Sequence, residues 1–571
     1  MANTYDKASL VLIPSGTKEG VIFSQKPTNG DGDFTFSRST AATRVNADGL
    51  IEKERTNYVR YSQDFSQWSI LGSATITTGV TDPNGGSTAA TISNIGAGNL
   101  SDGIAIFNNP MTIGAGSVVS QSIYLKGSGT IVIAMERGVS GTYFFYQKTI
   151  TLTPTWQRFD NFQQIGSAAD GFHFYVSNYT GTTATSVDIA FAQFEFGTAP
   201  TEYIATTTSA VTTGITDNVP RLDYTDASCP SLLLEPQRTN LVPHSEYTGG
   251  YIAQGTGTRT DNDEISPEGL QNAFTLNDTS SGEYYRIEDT ISVSGGDYTL
   301  SVFLKKTTGA LSHYAGLQLD ISRKYVIVDT TNGTHNEAGS SGNDSVTIED
   351  WDSNWWRVII TNNIIAGTTR VALWPAISSD GSAISFGATG ENTFYGIQLE
   401  ESSYPTSYIP TYGTSVTRVA DAASKTGISD LIGQTEGTLF LDFEFINPNK
   451  VVVLFTIHDN ANNKRLELWA NNNVLNGFIG GSVNIAIGNT TITNGRHKAA
   501  IAYDESGDQA FYVDGVQIGT SSTAYTIASL TGIRFNNWSG SGTYKTKEGV
   551  KQTLLFKTRL TNEELATLTT L

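Results

Sequence analysis

Apolar and polar residues alternate with a period of two over short stretches along most of this chain, the signature of strands with one buried face. Within 119–126, Val119, Gln121, Ile123 and Leu125 share one face, and Ser120, Ser122, Tyr124 and Lys126 share the other. Further short segments at 131–135, 143–146 and 172–176 are separated by turn residues, the pattern of an antiparallel sandwich. Toward the C-terminus, 437–445 alternates over nine residues, and strand candidates follow at 465–469, 496–503 and 510–519. Asp514-Gly515 inside the last of these predicts a tight hairpin, because both residues tolerate positive φ. Thr561 and Glu564 fit a capping box for one short helix. The fold class expected is all-β, with serial antiparallel β-sandwich or jelly-roll domains.

One stretch recurs. Leu50-Ile51-Glu52-Lys53-Glu54-Arg55-Thr56-Asn57-Tyr58-Val59-Arg60-Tyr61-Ser62 returns as Leu233-Leu234-Glu235-Pro236-Gln237-Arg238-Thr239-Asn240-Leu241-Val242-Pro243-His244-Ser245, at an offset of 183. The shared pattern, L-[IL]-E-x-x-R-T-N-x-V-x-x-S, is not one that strand periodicity produces by itself, so it marks an internal repeat. Later landmarks keep the same order. Ser122 to Lys126 answers Ser301 to Lys305, Trp156-Gln157-Arg158 answers Trp355-Trp356-Arg357, and Gln193-Phe194-Glu195 answers Gln398-Leu399-Glu400. Offsets that change only between landmarks are what loop insertions on a fixed strand order leave behind. Ser415 to Asp421 resembles the approach to the connector at Ser209 to Thr212, so the junctions are expected to repeat too. The organisation expected is an N-terminal attachment arm at 1–49, a first jelly-roll module at 50–206, a connector at 207–232, a second module at 233–414, and a differently patterned domain at 415–571.

With 571 residues the chain has room for about three or four domains. Charged residues make up only 16% and glycines number 57, as in turn-rich β proteins. The balance of 35 Lys and Arg against 55 Asp and Glu gives a net charge of −20, which argues against binding nucleic acid or anionic membranes. Cys229 is the single cysteine, so no disulfide joins the modules. Residues 1–14 lack a basic segment and carry an apolar run of only four residues, so no secretory signal is expected. The longest apolar run elsewhere, 451–455, is far shorter than a membrane span, and no membrane insertion is expected.

The L-[IL]-E-x-x-R-T-N segments, above all Ser231 to Leu241, resemble a module of tailed-bacteriophage structural proteins that precedes jelly rolls of carbohydrate-binding-module type. The C-terminal block, with Tyr512-Val513-Asp514-Gly515 and its final helix, is similar to concanavalin A-like (laminin G-like) lectin and glucanase domains. The resemblance implies a fibre or appendage on the head or tail of a virion, folded in the host cytoplasm. It also implies a homotrimer, contacts with other virion proteins through the N-terminal arm, and attachment to host-surface or mucosal glycans.

Glycan recognition by a β-sandwich needs an aromatic face for the sugar ring and amides or carboxylates for its hydroxyls. Trp469 with Asn471, Trp538 with Asn536, and Trp374 in the second module are the candidates. Packing is the competing role, and the equivalent positions of Trp156 and Trp355 point to it for those two. Hydrolysis needs two carboxylates across the scissile bond, and no E-x-D-x-x-E strand occurs in 418–571. Asp442 and Glu444 share a strand face but read as solvated residues, so no catalytic residue is assigned and a polysaccharide depolymerase is the alternative, beside a spacer without ligand. The six His are scattered, and neither metal nor cofactor is expected. Glu52 with Arg55 and Glu235 with Arg238 form a repeated set, expected to be internal ion pairs at the module junctions.

Overall fold

The computed structural model describes residues 2–96, 102–139, 142–166, 168–225, 228–308, 314–339, 342–385, 387–459, 461, 463–527, 529–535 and 546–571. The chain is all-β, with short helices at Ala2–Lys7 and Asn562–Thr569. Thr561 caps the second with the reciprocal bonds of a capping box to Glu564. Among the described residues no helix is long and apolar enough to cross a membrane.

The two modules share a strand order. In the first, one sheet runs Thr75–Val80, Ala89–Ser93, Ser186–Phe196, Val118–Gly127, Gln157–Gln164, and the facing sheet runs Ser69–Leu71, Gly103–Ile113, Ala169–Ser177, Thr130–Val139, Thr142–Thr151. The second module repeats both orders and adds one edge strand to each, Ser345–Asp350 and Thr334–Gly339. Ile104, Ile123, Ile133, Phe172 and Phe194 fill the first core, and Leu276, Leu300, Leu317, Val371 and Phe394 the second.

Hydrogen bonds explain why the repeated letters recur. Asn57 donates to the carbonyls of Ala192 and Ile204 and accepts from the amides of Val59 and Phe194. Asn240 does the same with Ile397, Ile409, Val242 and Leu399. One buried amide thus satisfies four backbone groups that would otherwise be stranded. Val211–Thr213 pairs with Arg55–Asn57, and Val416–Arg418 pairs with Arg238–Asn240, so each module closes on its own lead-in with a two-stranded clasp.

Residues 1–49, expected to be an attachment arm or an extension that packs on something else, supply strands to the C-terminal sandwich. Leu10–Leu12 pairs with Glu548–Phe556, and Phe34–Ser37 pairs with Ala422–Thr426. The connector contributes as well, since Ser231–Leu234 pairs with Glu548–Phe556. Leu10, Leu12, Phe34, Phe36, Leu232 and Leu234 pack in one core with Leu439, Phe455, Leu468, Phe511 and Ile533. The arm has too few apolar residues for a core of its own, and burying them here removes that apolar surface from water. Each jelly roll is therefore an excursion that leaves the sandwich and returns to it.

The strands that return carry a buried charge cluster. Arg221 Nη1 lies 2.7 Å from Glu235 Oε2 and Arg418 Nη1 lies 2.6 Å from the same oxygen. Arg38 Nη1 is 3.0 Å from Asp421 Oδ1, and Arg221 also pairs with Asp421. All five side chains are at most 1% exposed. Burial alone would raise the Glu235 pKa, but Arg418 and Arg221 outweigh it and hold it well below the usual carboxylate range. Glu235 thus joins an ion pair at the junction, though not with Arg238, which bonds to Ser402 and lies over the Tyr404 ring. Glu52 likewise pairs with Arg44, 2.8 Å away, and not with Arg55. Residues three apart in an extended segment point to opposite sides, so neither Glu can reach the Arg of its own motif.

A second cluster seats the first lead-in on the second module. Lys53 Nζ is 3.1 Å from Glu246 and 2.7 Å from Glu268, and it donates to Tyr412 Oη at 2.6 Å. Beside it, Ile51 packs with Phe303, Trp355, Tyr395 and Tyr408.

Two outcomes are expected. A fragment spanning 415–571 lacks the strands that bring Leu10, Leu12, Phe34, Phe36, Leu232 and Leu234 into its core, so it should melt without a cooperative transition. A sharp melt with native near-ultraviolet dichroism would contradict the shared core. Glu235→Gln in the full chain should cost about 3–5 kcal/mol at neutral pH, because Arg221 and Arg418 then face a neutral amide. The Glu235 contribution is complete above its unfolded pKa of ~4.3 and is lost as pH falls toward the depressed folded value. The variant should therefore also lose part of the acid sensitivity seen in urea unfolding at several pH values; an unchanged acid limb would show that Glu235 does not supply it.

Candidate functional site

The second module carries a cavity of about 410 Å³ on the outer side of one sheet, lined by Tyr284, Arg286, Ile321, Arg323, Tyr325, Arg370, Trp374, Ile377, Ile384 and Ser385. Three strands of that sheet contribute to its lining, Arg286–Val293, Gly367–Trp374 and Lys324–Asp329, with Tyr314–Leu319 between the last two. Leu373, Val371, Leu317 and Val326 point inward to the core, so the alternate residues Trp374, Ala372, Gly316, Gln318, Ile327 and Tyr325 face outward. One wall is the loop 375–385. Ile377 packs onto the sheet where Gly316 has no side chain, since a Cβ there would come within 2.8 Å of the isoleucine. Asn336 donates to the Gly381 carbonyl at 2.7 Å and Asn392 to the Pro375 carbonyl at 2.6 Å, fixing the loop across the sheet.

Charge and aromatic faces converge in this cavity. Arg286 lies over the Tyr284 ring at 4.9 Å and over the Trp374 ring at 5.4 Å, while Tyr325 meets Trp374 edge-on at 5.5 Å. Arg286 Nε donates to Glu288 Oε2 at 2.7 Å, and Arg370 Nε is 3.4 Å from the same oxygen. Burial opposes the charge on Arg286, but its hydrogen bonds to Glu288 and Tyr284 outweigh that and raise its pKa. Arg323 is exposed, with φ at 59°. In the sheet behind them Gln318, paired in register with Ala372, is fully buried with no hydrogen-bond partner for either amide atom. A buried amide left unpaired costs about 1–3 kcal/mol.

The sequence candidates are distributed unevenly around this geometry. Trp374 belongs to the cavity, but at 3% exposure it is the floor under Arg286 and Tyr325 and offers no open face. Trp469 is half-buried on a sheet face of the C-terminal sandwich, in register with Val453 and Asn476. Asn471 ends its strand, and Asn472, at φ 53°, begins the turn of the next hairpin. The asparagine run there is turn chemistry. Asn536 and Trp538 lie outside the described residues. Trp355 is buried under Ile51, and Trp356 donates to the Thr330 carbonyl with Lys306 3.9 Å from its ring, so both pack. Asp442 is buried and held by Arg496 at 2.9 and 2.6 Å, and Glu444 pairs with Lys551 at 3.3 Å, so neither is a free solvated carboxylate.

Sequence reading missed Tyr284, Arg286, Arg323, Tyr325 and Arg370. The available signal was the alternation Tyr284, Arg286, Glu288, which puts an aromatic and two opposite charges on one strand face. The duplication isolates what is particular to this site. Arg286 opens its strand against Gln254, one step beyond the Ile287 to Leu373 pair and hence opposite Trp374. The corresponding positions of the first module, opposite each other in register, are Gly103 and Ser177. The outer face there carries Glu136 instead, bonded to His173 and Tyr175.

No family model matches the chain, and no curated protein matches it. Among solved structures it is similar to the CBM40 of the Ruminococcus gnavus IT-sialidase bound to α2,3 sialyllactose, at 13% identity over 24% of this chain and 84% of that one, with a TM-score of 0.22. The NanB sialidase from Streptococcus pneumoniae matches at 16% identity over 25% and 26%, with a TM-score of 0.23. A botulinum neurotoxin type C structure, concerned with its interaction with two ganglioside molecules, matches at 12% identity over 26% and 39%, with a TM-score of 0.23. At such scores the site stands on its own geometry.

Gln318→Leu tests the unmet amide. Replacing it with an apolar side chain of similar size should leave stability unchanged or raise it by about 1 kcal/mol in thermal or urea unfolding. A loss larger than that would reveal a partner for the amide in the folded protein.

Proposed function

We propose that this chain is a glycan-binding attachment protein whose second jelly roll holds the sugar site. The observation that carries the reading is the cavity at Tyr284, Tyr325 and Arg370, floored by Trp374: tyrosine rings beside guanidinium donors, on the outer surface of a sandwich. An aromatic ring presents its face to the C–H side of a pyranose, and charged donors take the hydroxyls or charges around it. Affinity at one such site is expected to be modest, and repeated copies on a particle raise it by avidity.

The resemblance of the L-[IL]-E-x-x-R-T-N segments to phage structural modules extends the proposal to a virion fibre or appendage, on head or tail, assembled as a homo-oligomer. The last sandwich, proposed as concanavalin A-like, serves in this reading as the hub that gathers both modules. The role proposed is binding, with a polysaccharide depolymerase as the alternative; Asp442 and Glu444, the carboxylates singled out in the sequence, are each held in an ion pair.

The test is a glycan array probed with the full chain, followed by calorimetry on the best ligand with Tyr325→Ala. Binding that falls at least tenfold in the variant, at unchanged melting temperature, is the expected result. Binding that survives the change places the site elsewhere, and an array without any bound glycan removes the reading. Mass spectrometry of purified particles from a producing host checks the virion role, which absence of the chain from those particles would refute.

A further inference from the structure

We infer that the cavity on the second module takes an acidic sugar, a carboxylated nonose or hexose, with its carboxylate held by Arg370 and Arg323 and its ring against Tyr325. This rests on the glycan-binding reading above and narrows it to a substrate class.

The charge balance is the first argument. Three guanidiniums, on Arg286, Arg323 and Arg370, line the cavity, with Glu288 beside two of them and Asp320 next to Arg370 across the strands, in a chain whose net charge is −20. Glu288 is already matched by Arg286 at 2.7 Å. Arg370 Nε is 3.4 Å from the same oxygen, and Arg323 pairs with no carboxylate within 4 Å among the described residues. Excess positive charge at a site walled by aromatic rings is unfavourable in the free protein, and an anionic ligand relieves it. A guanidinium presents parallel donors that match a carboxylate in a bidentate pair.

The surroundings suit a sugar acid better than a bare anion. Tyr284, Tyr325, Ile321 and Ile384 supply apolar and aromatic wall around the charged end. The volume of about 410 Å³ falls in the range of ~300–1,000 Å³ typical of small-molecule sites. Ser385 adds a hydroxyl to the lining beside the guanidiniums.

The duplicated module shows that the fold does not need this set. Gly103 and Ser177 occupy the positions of Arg286 and Trp374 in the first copy. The outer face of that copy places a carboxylate, Glu136, under His173 and Tyr175. The Arg286 and Trp374 pair is thus confined to one of two like scaffolds, while the outer face of the other gathers Phe107, His173 and Tyr175 around a carboxylate.

Calorimetric titration of the full chain with 3′-sialyllactose, its methyl ester, a glucuronic acid disaccharide, lactose and inorganic phosphate tests the inference. At least one acidic sugar should bind tenfold or more tightly than lactose, more weakly as salt rises, and the relative strength of the two acids assigns the nonose or the hexose class. The methyl ester, which keeps the sugar and removes the charge, should lose at least tenfold, as should Arg370→Gln at unchanged melting temperature. Equal binding of acid and ester, of acid and lactose, or of acid and phosphate overturns the acidic-sugar inference and leaves the glycan-binding reading standing. Failure of every sugar, acidic or neutral, overturns both.

Discussion

Glu235 and Asp421 sit with Arg38, Arg221 and Arg418 where water does not reach, and ions so placed each cost several kcal/mol of desolvation unless matched. The five residues come from the N-terminal strands, the connector, the second lead-in and the strand that leaves the second module. None of these segments is long enough to hold itself in place. The cluster makes their positions interdependent: a wrong partner for any one leaves an unpaired charge in the interior, so the arrangement selects one way of bringing the excursions back to the sandwich. Lys53 with Glu246 and Glu268 does the same where the first lead-in meets the second module.

On that frame the two jelly rolls are free to differ on their outer faces. Their cores and clasps are nearly superimposable in chemistry, down to the four hydrogen bonds of Asn57 and Asn240. The outer sheet is under no such constraint, because its residues neither close the core nor hold a junction. That is where Arg286 and Trp374 stand in one copy and Gly103 and Ser177 in the other, and where an unpaired buried amide, Gln318, is tolerated.

The parts legible in the chain were those whose side chains are fixed by the fold itself. Asn57 and Asn240, Arg158 and Arg357, and Gln193 and Gln398 recur because each satisfies particular backbone or side-chain groups, so the repeat and the all-β class could be read from them. The N-terminal strands could not be placed. Leu10–Leu12, Thr17–Lys18 and Val21–Ile22 are too short to show a period, and the partners of Leu10–Leu12 lie at the far end of the chain. The ion-pair partners are not evident in the chain for a related reason: Glu52 and Arg55 are close in sequence but face apart, whereas Arg44 reaches Glu52 across a two-strand turn. Trp374 was found by residue type, yet Tyr284, Arg323, Tyr325 and Arg370 come from other strands or turns, and only the sheet brings them together. Trp469 drew attention through Asn471 and its neighbours, whose spacing reflects a hairpin.

The nested path of the chain also sets an order of events during synthesis. Ser9 donates to the Leu555 carbonyl across 546 positions, among the longest separations a chain of this length allows. Contacts so distant form slowly, because the loop between them must close before the bond gives anything in return. Both jelly rolls, with cores assembled from their own strands, can fold while the ribosome is still working. Phe34 and Phe36 have no home until Ala422–Thr426 emerges, and Leu10 and Leu12 none until Glu548–Phe556 does. For most of translation the first strands made are therefore uncovered, apolar and edge-exposed, a state prone to association with other nascent chains. The intervening modules then act as a timer as well as a cargo, setting how long the opening strands wait for the closing ones.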